Sequence, residues 1–269
     1  MLKNNSQGRH GLIGHSGFVG TTLKKQHYFD SLYRSTNIQE IENQEFELLV
    51  CAGVSAKKWL ANKDPASDLL AIKNLINELS KVRCNRFILI STVDVFLDPI
   101  GVDEKSIIET TGLHPYGTHR RELEKFIEHQ FPSNIIVRLP GLVGPGLKKN
   151  IIYDIHNEND LLKVDSRSVF QFYPMVNLWY DLERLMQLGL NLVHLTAEPI
   201  SVREISRDGF GYSFENYAQD QPQTYDFQTL YATQFGGTGR YTYSKRETLQ
   251  AVRDYAQKES KVFHNIQKA

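Results

Sequence analysis

The hydrophobic pattern of the first half of the chain alternates between short apolar runs and longer amphipathic segments. The apolar runs, which are typical of buried strands, lie at 10–13, 46–52, 86–92 and 134–138. The segments that the pattern predicts to be helical lie at 18–27, 65–82 and 116–130. Strands that are apolar throughout are buried on both faces. The alternation therefore predicts an α/β fold with a doubly wound parallel sheet covered by helices.

The alternation of strand-like and helix-like segments weakens beyond residue 140. Residues 145–168 are rich in glycine and charge, and residues 208–245 hold many aromatic, glycine and glutamine residues without a clear period. A closing helix is predicted over 246–259. We therefore expect a first domain over 1–145. Over 146–269 we expect a smaller C-terminal lobe, interleaved with the last elements of the sheet.

Composition narrows the possible partners and compartment. Lys+Arg and Asp+Glu both total 31 among 269 residues, so the zero net charge gives no electrostatic reason to expect nucleic acid or a membrane surface as partner. The two cysteines, Cys51 and Cys84, form neither a disulfide framework nor a zinc pair. The first ten residues lack the apolar core of a signal peptide, and no apolar run approaches the ~18 residues that span a bilayer. A cytoplasmic, soluble protein is expected.

A glycine-rich turn follows the first predicted strand. Gly14, Gly17 and Gly20 are spaced Gly-x-x-Gly-x-x-Gly at the point where the strand passes into a helix. Such a turn needs glycine for positive φ, for close approach of the backbone to a pyrophosphate, and for tight helix–strand packing. The free N–H groups at the helix start favour phosphate. The turn predicts a Rossmann-type dinucleotide-binding domain, and the absence of a following Lys-Ser/Thr excludes a P-loop.

The choice between NAD and NADP rests on the second strand, which should end near the adenosine ribose. Arg34 and Ser35 lie about twenty residues after Gly14 and favour the 2′-phosphate of NADP. Two alternatives stay open: Asp30 as the ligand of an NAD ribose, or Arg34 as an ordinary surface charge. The predicted cofactor is NADP, with NAD as the alternative.

Several motifs, taken in order, resemble the extended short-chain dehydrogenase/reductase superfamily of NAD(P)-dependent epimerases, dehydratases and reductases. The motifs are Gly14-His-Ser-Gly-Phe-Val-Gly20, Ala52-Gly53, Ile90-Ser-Thr-Val-Asp-Val-Phe96, Pro115-Tyr-Gly-Thr-His-Arg120 and Arg138-Leu-Pro-Gly-Leu-Val-Gly-Pro145. They cover about the first 150 residues. The resemblance implies Thr92, Tyr116 and Arg120 as catalytic residues. It implies cofactor contacts from Gly14, Ser16, Gly17, Phe18, Val19, Gly20, Arg34, Ser35, Ala52, Gly53, Tyr116, Arg120 and Pro140.

The chain departs from the family pattern at three positions. Arg120 replaces a lysine, Gly141 replaces an asparagine, and Phe96 replaces a tyrosine. Arginine keeps the permanent charge but cannot release a proton. Arg120, four residues after Tyr116 on one helix face, is therefore expected to lower the pKa of Tyr116 from about 10 towards neutrality. Thr92 is expected to donate a hydrogen bond to the substrate carbonyl oxygen.

These features predict an enzyme: an NAD(P)-dependent oxidoreductase or epimerase acting on a hydroxyl or keto carbon, with Tyr116 as acid/base. The resemblance implies a nucleotide sugar as substrate, a role in polysaccharide biosynthesis, and a homodimer. A 4-epimerase or 4-keto reductase is favoured over a 4,6-dehydratase, because Val93-Asp94 follows Thr92 where that chemistry uses an Asp-Glu pair. The alternatives are a non-catalytic NADP-binding sensor and an assembly protein with the same fold.

Other polar residues give weaker signals. The nine histidines are scattered without the spacing of metal ligands, so no metal is predicted. His119 is expected at the surface. Lys148 and Lys149 follow the last predicted strand, where they would meet a substrate diphosphate or lie in a solvated loop.

Overall fold

The computed structural model describes residues 8–262. Its strands are β1 (His10–Ile13), β2 (Ser31–Tyr33), β3 (Glu45–Cys51), β4 (Arg83–Thr92), β5 (Ile100–Val102), β6 (Asn134–Leu139), β7 (Gly141–Val143), β8 (Val169–Phe170), β9 (Phe172–Pro174), β10 (Leu192–His194), β11 (Ile200–Ser201) and β12 (Asp226–Phe227). Its helices are α1 (Phe18–Gln26), α2 (Lys58–Lys63), α3 (Pro65–Leu79), α4 (Pro115–Gln130), α5 (Ile151–Asn157), α6 (Leu178–Leu188), α7 (Val202–Glu204) and α8 (Lys245–Lys258).

A six-stranded sheet has the strand order β10-β6-β4-β3-β1-β2. β1 pairs in parallel with β2 on one side and with β3 on the other, and β3 pairs in parallel with β4. The chain therefore runs from β1 to β2 at one edge of the sheet. It then crosses back to β3 on the other side of β1, and the later strands follow in that direction. This reversal creates a topological switch point at the carboxyl ends of β1 and β3, the place where open α/β sheets bind ligands. The doubly wound, Rossmann-type sheet expected from the sequence is confirmed.

The strands of this sheet supply a continuous apolar core. Leu49 and Phe87 have no exposed surface, and Ile136 is almost fully buried. Leu123 and Ile127 of α4 and Ile72 of α3 are buried in the same cluster. A helix that packs on a sheet buries one apolar stripe. The segments with apolar residues at helical spacing therefore form the helices that cover this sheet.

The boundaries of the strongly patterned elements agree with the sequence to within a few residues. The predicted helix over 65–82 is α3, which begins where Asp64 accepts a hydrogen bond from the Ser67 N–H at 3.1 Å and Pro65 takes the first helical position. The predicted closing helix over 246–259 is α8, which begins with a capping box between Ser244 and Glu247. The sequence pattern did not reveal α2 or α6.

The chain divides into two compact units, each assembled from separate segments. The first unit takes the described residues up to Asp98, together with Ile107–Arg138 and Leu178–Val193. The second takes Pro99–Ser106, Leu139–Asn177 and the described residues from His194 onward. The chain thus enters the second unit at Pro99 and again at Leu139, and α6 returns to the first unit.

The second unit contains three two-stranded pairings, β11 with β8, β12 with β5, and β7 with β9. Its helix α8 packs against β9 and against the turn Ile205–Phe210. Among the residues that the structure describes, no helix has both the length and the apolar character required to cross a membrane.

Candidate functional site

The glycine-rich turn joins β1 to α1 at the switch point of the sheet. Gly14 has φ +85°, and a Cβ atom on it would lie 2.3 Å from the Ala52 carbonyl oxygen. A Cβ on Gly20 would lie 2.1 Å from the Gly14 carbonyl oxygen. Both contacts are too short for any side chain, so these two positions require glycine. The turn consequently brings the carboxyl end of β1, the start of α1 and the Ala52-Gly53 segment together.

The first turn of α1 is open to a ligand. Gly17 is the N-cap residue, makes no side-chain hydrogen bond to the helix, and has no protein atom closer than 3.5 Å to the position of an added Cβ. Ser16 is exposed, and Phe18 and Val19 are half-buried. No acidic side chain lies in the first helical turn. The positive end of the helix dipole therefore keeps its attraction for an anion.

Arg34 and Ser35 follow β2 at the same edge of the sheet and are exposed. The Arg34 N–H donates to Asn37 Oδ1 at 2.8 Å, and Arg34 Nε donates to Thr36 Oγ1 at 2.9 Å. His15 lies beside them, since its N–H donates to the Tyr33 carbonyl. Burial, Lys24 and Arg34 together lower the pKa of His15, which places three basic side chains in one neighbourhood.

Asp30 lies at the opposite edge of the sheet. Its Oδ2 accepts a hydrogen bond at 2.8 Å from the N–H of His10, the first residue of β1. Gly14, by contrast, follows the last residue of that strand. The sequence left Arg34 and Asp30 open as alternatives for contact with the ribose. In the structure, Arg34 and Ser35 lie near the glycine turn, whereas Asp30 lies at the other end of β1.

Thr92 is the last residue of β4 and caps the short 3₁₀ turn Val93–Val95. Its Oγ1 accepts a hydrogen bond from the Asp94 N–H at 3.1 Å. This capping role is the purely structural one that Ser-Thr after a strand often has. The Thr92 hydroxyl also donates a long hydrogen bond of 3.4 Å to Asp94 Oδ2, so a substrate oxygen would compete with that carboxylate for the Thr92 proton.

Tyr116 lies in the first turn of α4, next to Thr92. The helix begins where His114 Nδ1 accepts from the Gly117 N–H at 3.0 Å. A Cβ on Gly117 would lie 2.1 Å from the Asp94 carbonyl oxygen, so glycine allows α4 to approach the 93–95 turn. The Tyr116 side chain is buried, and the nearby Thr92 hydroxyl lowers its pKa. The packing thus assembles a hydroxyl pair at the carboxyl end of β4.

The electrostatic surroundings of Tyr116 differ from those expected. Burial raises the pKa of Tyr116, and Arg120 opposes this effect only in part; the net pKa lies above the ordinary value of 10. The expectation that Arg120 would bring the pKa towards neutrality was wrong for this state of the protein, because desolvation of a phenolate outweighs one nearby cation. The phenol is therefore protonated at neutral pH.

Arg120 is held in place by α3. Its terminal nitrogens bind both carboxylate oxygens of Asp68, at 2.5 and 3.0 Å, and one of them also donates to the Ser55 carbonyl at 2.6 Å. The guanidinium carbon lies 3.8 Å from the centre of the Tyr116 ring. The buried Nε has no hydrogen-bond partner among the described residues. Arg120 therefore stacks on Tyr116 and keeps one donor uncommitted.

His119 was expected at the surface, and this was wrong. It is only 7% exposed, and its Nδ1 lies 2.7 Å from Asp68 Oδ2. The adjacent helix α3 covers this face of α4, which the sequence of α4 alone does not reveal.

The remaining predicted positions lie in the second unit. Pro140 is buried between β6 and β7. Gly141, where the resemblance expects asparagine, has no room for a side chain, since a Cβ would lie 2.7 Å from the Gln171 carbonyl oxygen. Lys148 and Lys149 are exposed before α5. No group of three His, Cys, Asp or Glu side chains suited to a metal ion occurs within residues 8–262.

Sequence reasoning missed Lys58, a charged residue beside this site. Its Nζ lies 2.7 Å from Asp94 Oδ1, and both residues belong to the surroundings of Tyr116. The sequence identified Asp94 only as a departure from the dehydratase pattern and gave it no role beside Tyr116. Lys58 begins a six-residue helix without a clear apolar period, so no sequence signal connected it with Tyr116.

Comparison with known proteins gives matches at the level of structure. No known family model matches the sequence, and no curated protein sequence matches it. Among solved structures, dTDP-4-dehydrorhamnose reductase from Bacillus anthracis, in complex with NADP, shares 16% identity at a TM-score of 0.73, covering 95% of this chain and 100% of its own.

Two further structures give the same picture. The Bordetella bronchiseptica enzyme WbmG, in complex with NAD, shares 14% identity at a TM-score of 0.75 and covers 96% of each chain. RMD from Pseudomonas aeruginosa, complexed with NADPH, shares 17% identity at a TM-score of 0.71. The match covers 93% of this chain and 99% of the RMD chain. At such identities the likeness establishes a shared fold, which agrees with the fold implied by the sequence motifs.

Proposed function

We propose that this protein is an NADP-dependent reductase that acts on a keto carbon of a nucleotide sugar. The observation that carries the proposal is the pair of hydroxyl groups, on the half-buried Thr92 and the buried Tyr116, at the same sheet edge as the glycine turn. Structures with this fold include a 4-dehydro-sugar nucleotide reductase with NADP and a UDP-glucuronic acid 4-epimerase with NAD. Both kinds of enzyme support a nucleotide-sugar substrate.

The described residues fit a dinucleotide. The cradle at Gly14 and Gly20 has no space for side chains, and the uncapped start of α1 offers free N–H groups to a pyrophosphate. Ser16, Gly17, Phe18 and Val19 would line this turn. Ala52 and Gly53 would lie against the adenosine, and Pro140 would complete the cofactor contacts.

Arg34 and Ser35 would hold a 2′-phosphate. A guanidinium group binds phosphate through two parallel hydrogen bonds, whereas NAD offers only a hydroxyl at that position. The exposed position of Arg34 and the neighbouring bases His15 and Lys24 support NADP over NAD.

NADPH, when bound, supplies a hydride to the carbonyl carbon of the substrate. Thr92 would donate a hydrogen bond to the carbonyl oxygen and polarise it. Tyr116 would give its phenolic proton to that same oxygen as the alcohol forms. The raised pKa of Tyr116 keeps the proton on the phenol at neutral pH, which suits a proton donor. An epimerase would instead begin with an oxidation, in which the phenolate of Tyr116 would act as base.

Arg120 would serve as a fixed charge. Its guanidinium group on the ring face stabilises the phenolate that remains after proton donation. Its uncommitted Nε would be the one donor left for the cofactor. Because arginine does not release a proton, Tyr116 must recover its proton by another route.

The first experiment is a calorimetric titration with NADPH and, separately, with NADH. We expect NADPH to bind at low micromolar concentration or tighter, and NADH much more weakly. Arg34→Ala should reduce this preference by about tenfold or more, since it removes a charged hydrogen-bond pair. If neither nucleotide binds, the cofactor assignment is wrong. If Arg34→Ala keeps the full preference for NADPH, the role of Arg34 is wrong.

The second experiment tests Tyr116 with a set of 4-keto nucleotide sugars and NADPH consumption as the readout. Tyr116→Phe should lower turnover by about 10²- to 10⁴-fold, which is the usual contribution of a positioned acid. NADPH binding should stay near that of the unaltered protein. Undiminished turnover would contradict the proposal. A protein that binds NADPH but consumes it with none of the substrates would favour the sensor alternative.

A further inference from the structure

Lys58 and Asp94 form an ion pair that the proposed reaction does not yet use. Lys58 Nζ lies 2.7 Å from Asp94 Oδ1, and their side chains are 38% and 19% exposed. The two residues come from separate elements of the first unit, the start of α2 and the turn after β4. An ion pair with this partial burial is less screened by water than a fully exposed one.

Specific contacts tie both members of the pair to the hydroxyl site. Asn62, on the same helix as Lys58, accepts a hydrogen bond from the Tyr116 N–H at 3.0 Å. The other member, Asp94, donates its N–H to Thr92 Oγ1 at 3.1 Å, and its Oδ2 lies 3.4 Å from the same oxygen. Both charges therefore hold fixed positions relative to Thr92 and Tyr116.

The charged groups around Tyr116 come from every element packed against it. Arg120 lies on the ring face and is compensated by Asp68 of α3, which also binds His119. Asp94 and Lys58 act on the phenol from the 93–95 turn and from α2, and the charge of Asp94 opposes ionisation while that of Lys58 favours it. His114, at the start of α4, has its pKa lowered by burial and by Lys58, so it is neutral at pH 7.

We propose, resting on the function proposed above, that Lys58 is a positioning residue for proton transfer at Tyr116, because its ammonium group offsets the negative charge that Asp94 places beside the phenol and the Thr92 hydroxyl.

The charge balance explains why such a residue is needed. When Tyr116 gives up its proton, a phenolate forms near the Asp94 carboxylate, and like charges in a buried site repel each other. Lys58 offsets this repulsion. The Thr92 hydroxyl donates to the other carboxylate oxygen, Oδ2, at 3.4 Å, and Lys58 at Oδ1 reduces the negative charge with which this carboxylate competes with the substrate oxygen for the Thr92 proton. Arg120 also stabilises the phenolate, from the ring face, but it does not bind Asp94, since Asp68 and the Ser55 carbonyl fix its terminal nitrogens.

The test follows the ionisation of Tyr116 without using catalysis. The protein is labelled with 3-fluorotyrosine, whose phenol is more acidic than that of tyrosine, and titrated by fluorine NMR, with Tyr116→Phe assigning the resonance. Lys58→Met should move the titration midpoint of Tyr116 upward, and Asp94→Asn should move it downward. The double variant should lie below the unaltered protein, because Asp94 acts on the phenol more strongly than Lys58 does.

Lys57→Met is the matched control, since Lys57 is the exposed lysine immediately before Lys58. It should leave the midpoint unchanged. In turnover with NADPH, Lys58→Met should lower kcat on the order of tenfold with little change in KM, and Lys58→Arg should restore most of the loss. Lys58→Gln serves in place of Lys58→Met should that variant be poorly folded by circular dichroism.

The outcomes separate this inference from the proposed function. If Lys58→Met and Lys57→Met give the same midpoint as the unaltered protein, the inference is overturned whether or not the protein binds NADPH. If the midpoints move in opposite directions for Lys58 and Asp94, the ion pair controls Tyr116. An absence of NADPH binding in calorimetry would then count against the proposed reductase alone.

Discussion

Arg120 illustrates how much a single side chain depends on its neighbours. The sequence identifies it as a cation one helical turn after Tyr116, and the structure places its guanidinium group 3.8 Å from the centre of the Tyr116 ring. Its terminal nitrogens are bound by Asp68, which lies 52 residues away in the sequence. An arginine can form such a bidentate pair and a lysine cannot, so the replacement changes the structural role of the position as well as its chemistry.

The Arg120–Asp68 pair gives a stability prediction at this scale. Both side chains are less than a tenth exposed. Asp68→Asn leaves the buried charge of Arg120 without a carboxylate, so it should lower the free energy of unfolding by about 3–5 kcal/mol in urea denaturation. Arg120→Met should lower it by less, because His119 still binds Asp68. Arg83→Ala is the control, because its ion pair with Glu45 is exposed and should contribute ~1 kcal/mol or less. Equal effects of all three substitutions would contradict the prediction.

The same pair has a defined pH dependence. Burial alone raises the pKa of Asp68, but hydrogen bonds and charge from Arg120 and His119 outweigh it and hold the pKa below its ordinary value. A carboxylate with a lowered pKa stabilises the fold above its unfolded pKa, and this contribution is lost as the pH falls through the folded pKa. The difference in stability between the unaltered protein and Asp68→Asn should therefore shrink below about pH 4.

At the scale of elements, the β1–α1 turn contains glycines that serve different purposes, one for packing and one for the approach of a ligand. Gly20 is needed for packing, since a Cβ there would lie 2.1 Å from the Gly14 carbonyl oxygen. Gly17 has ordinary space around the position of its missing side chain, with the nearest atom at 3.5 Å. The proposed cofactor would approach the backbone at Gly17. The two positions therefore allow folding and binding to be tested separately.

Gly20→Ala should destabilise the protein by about 1–3 kcal/mol, because the backbone must shift to accept the methyl group. Gly17→Ala should lower the free energy of unfolding by about 1 kcal/mol or less, because alanine is a poorer N-cap than glycine, and yet weaken NADPH binding about tenfold or more. Thermal unfolding and calorimetry measure the two effects. Gly17→Ala that binds NADPH as tightly as the unaltered protein would refute the role of this turn as the pyrophosphate site.

The elements that the sequence missed share a physical cause. The helix α2 spans only Lys58–Lys63 and is stabilised by contacts with α3 and α4, not by a long apolar stripe. Although α6 is amphipathic, it follows a region of irregular sequence, so no alternation of strands and helices indicated a helix there. Short helices gain most of their stability from tertiary packing, and a local pattern does not record this.

At the scale of the whole molecule, each of the two compact units is built from segments that are not consecutive in the sequence. Residues 99–106 belong to the second unit although they follow β4, and α6 belongs to the first although it follows β9. The assignment of cofactor to 1–145 and substrate to 146–269 stays a prediction.

A homodimer is the prediction at this scale. We place the predicted contact at α2 and α3, where Trp59 and Leu70 are 65% and 59% exposed. Light scattering should give twice the monomer mass of 30.9 kDa. Leu70→Lys should shift the mass towards the monomer, while Leu162→Lys, at a leucine that is 89% exposed in the second unit, should not. A mass near 30.9 kDa for the unaltered protein would exclude the dimer.

The sequence by itself determined the α/β class, the long helices and the buried strands. It also determined the glycine positions at the β1–α1 turn, because these features depend on local periodicity and local backbone conformation. Only the tertiary structure decided that Asp68 holds Arg120, that Asn62 anchors Tyr116, and that Lys58 lies beside Asp94. These contacts join residues 36 to 54 positions apart in the sequence. They are set by how α2, α3 and α4 pack together, and the electrostatics of Tyr116 therefore follow from the packing of three helices rather than from the motif that contains it.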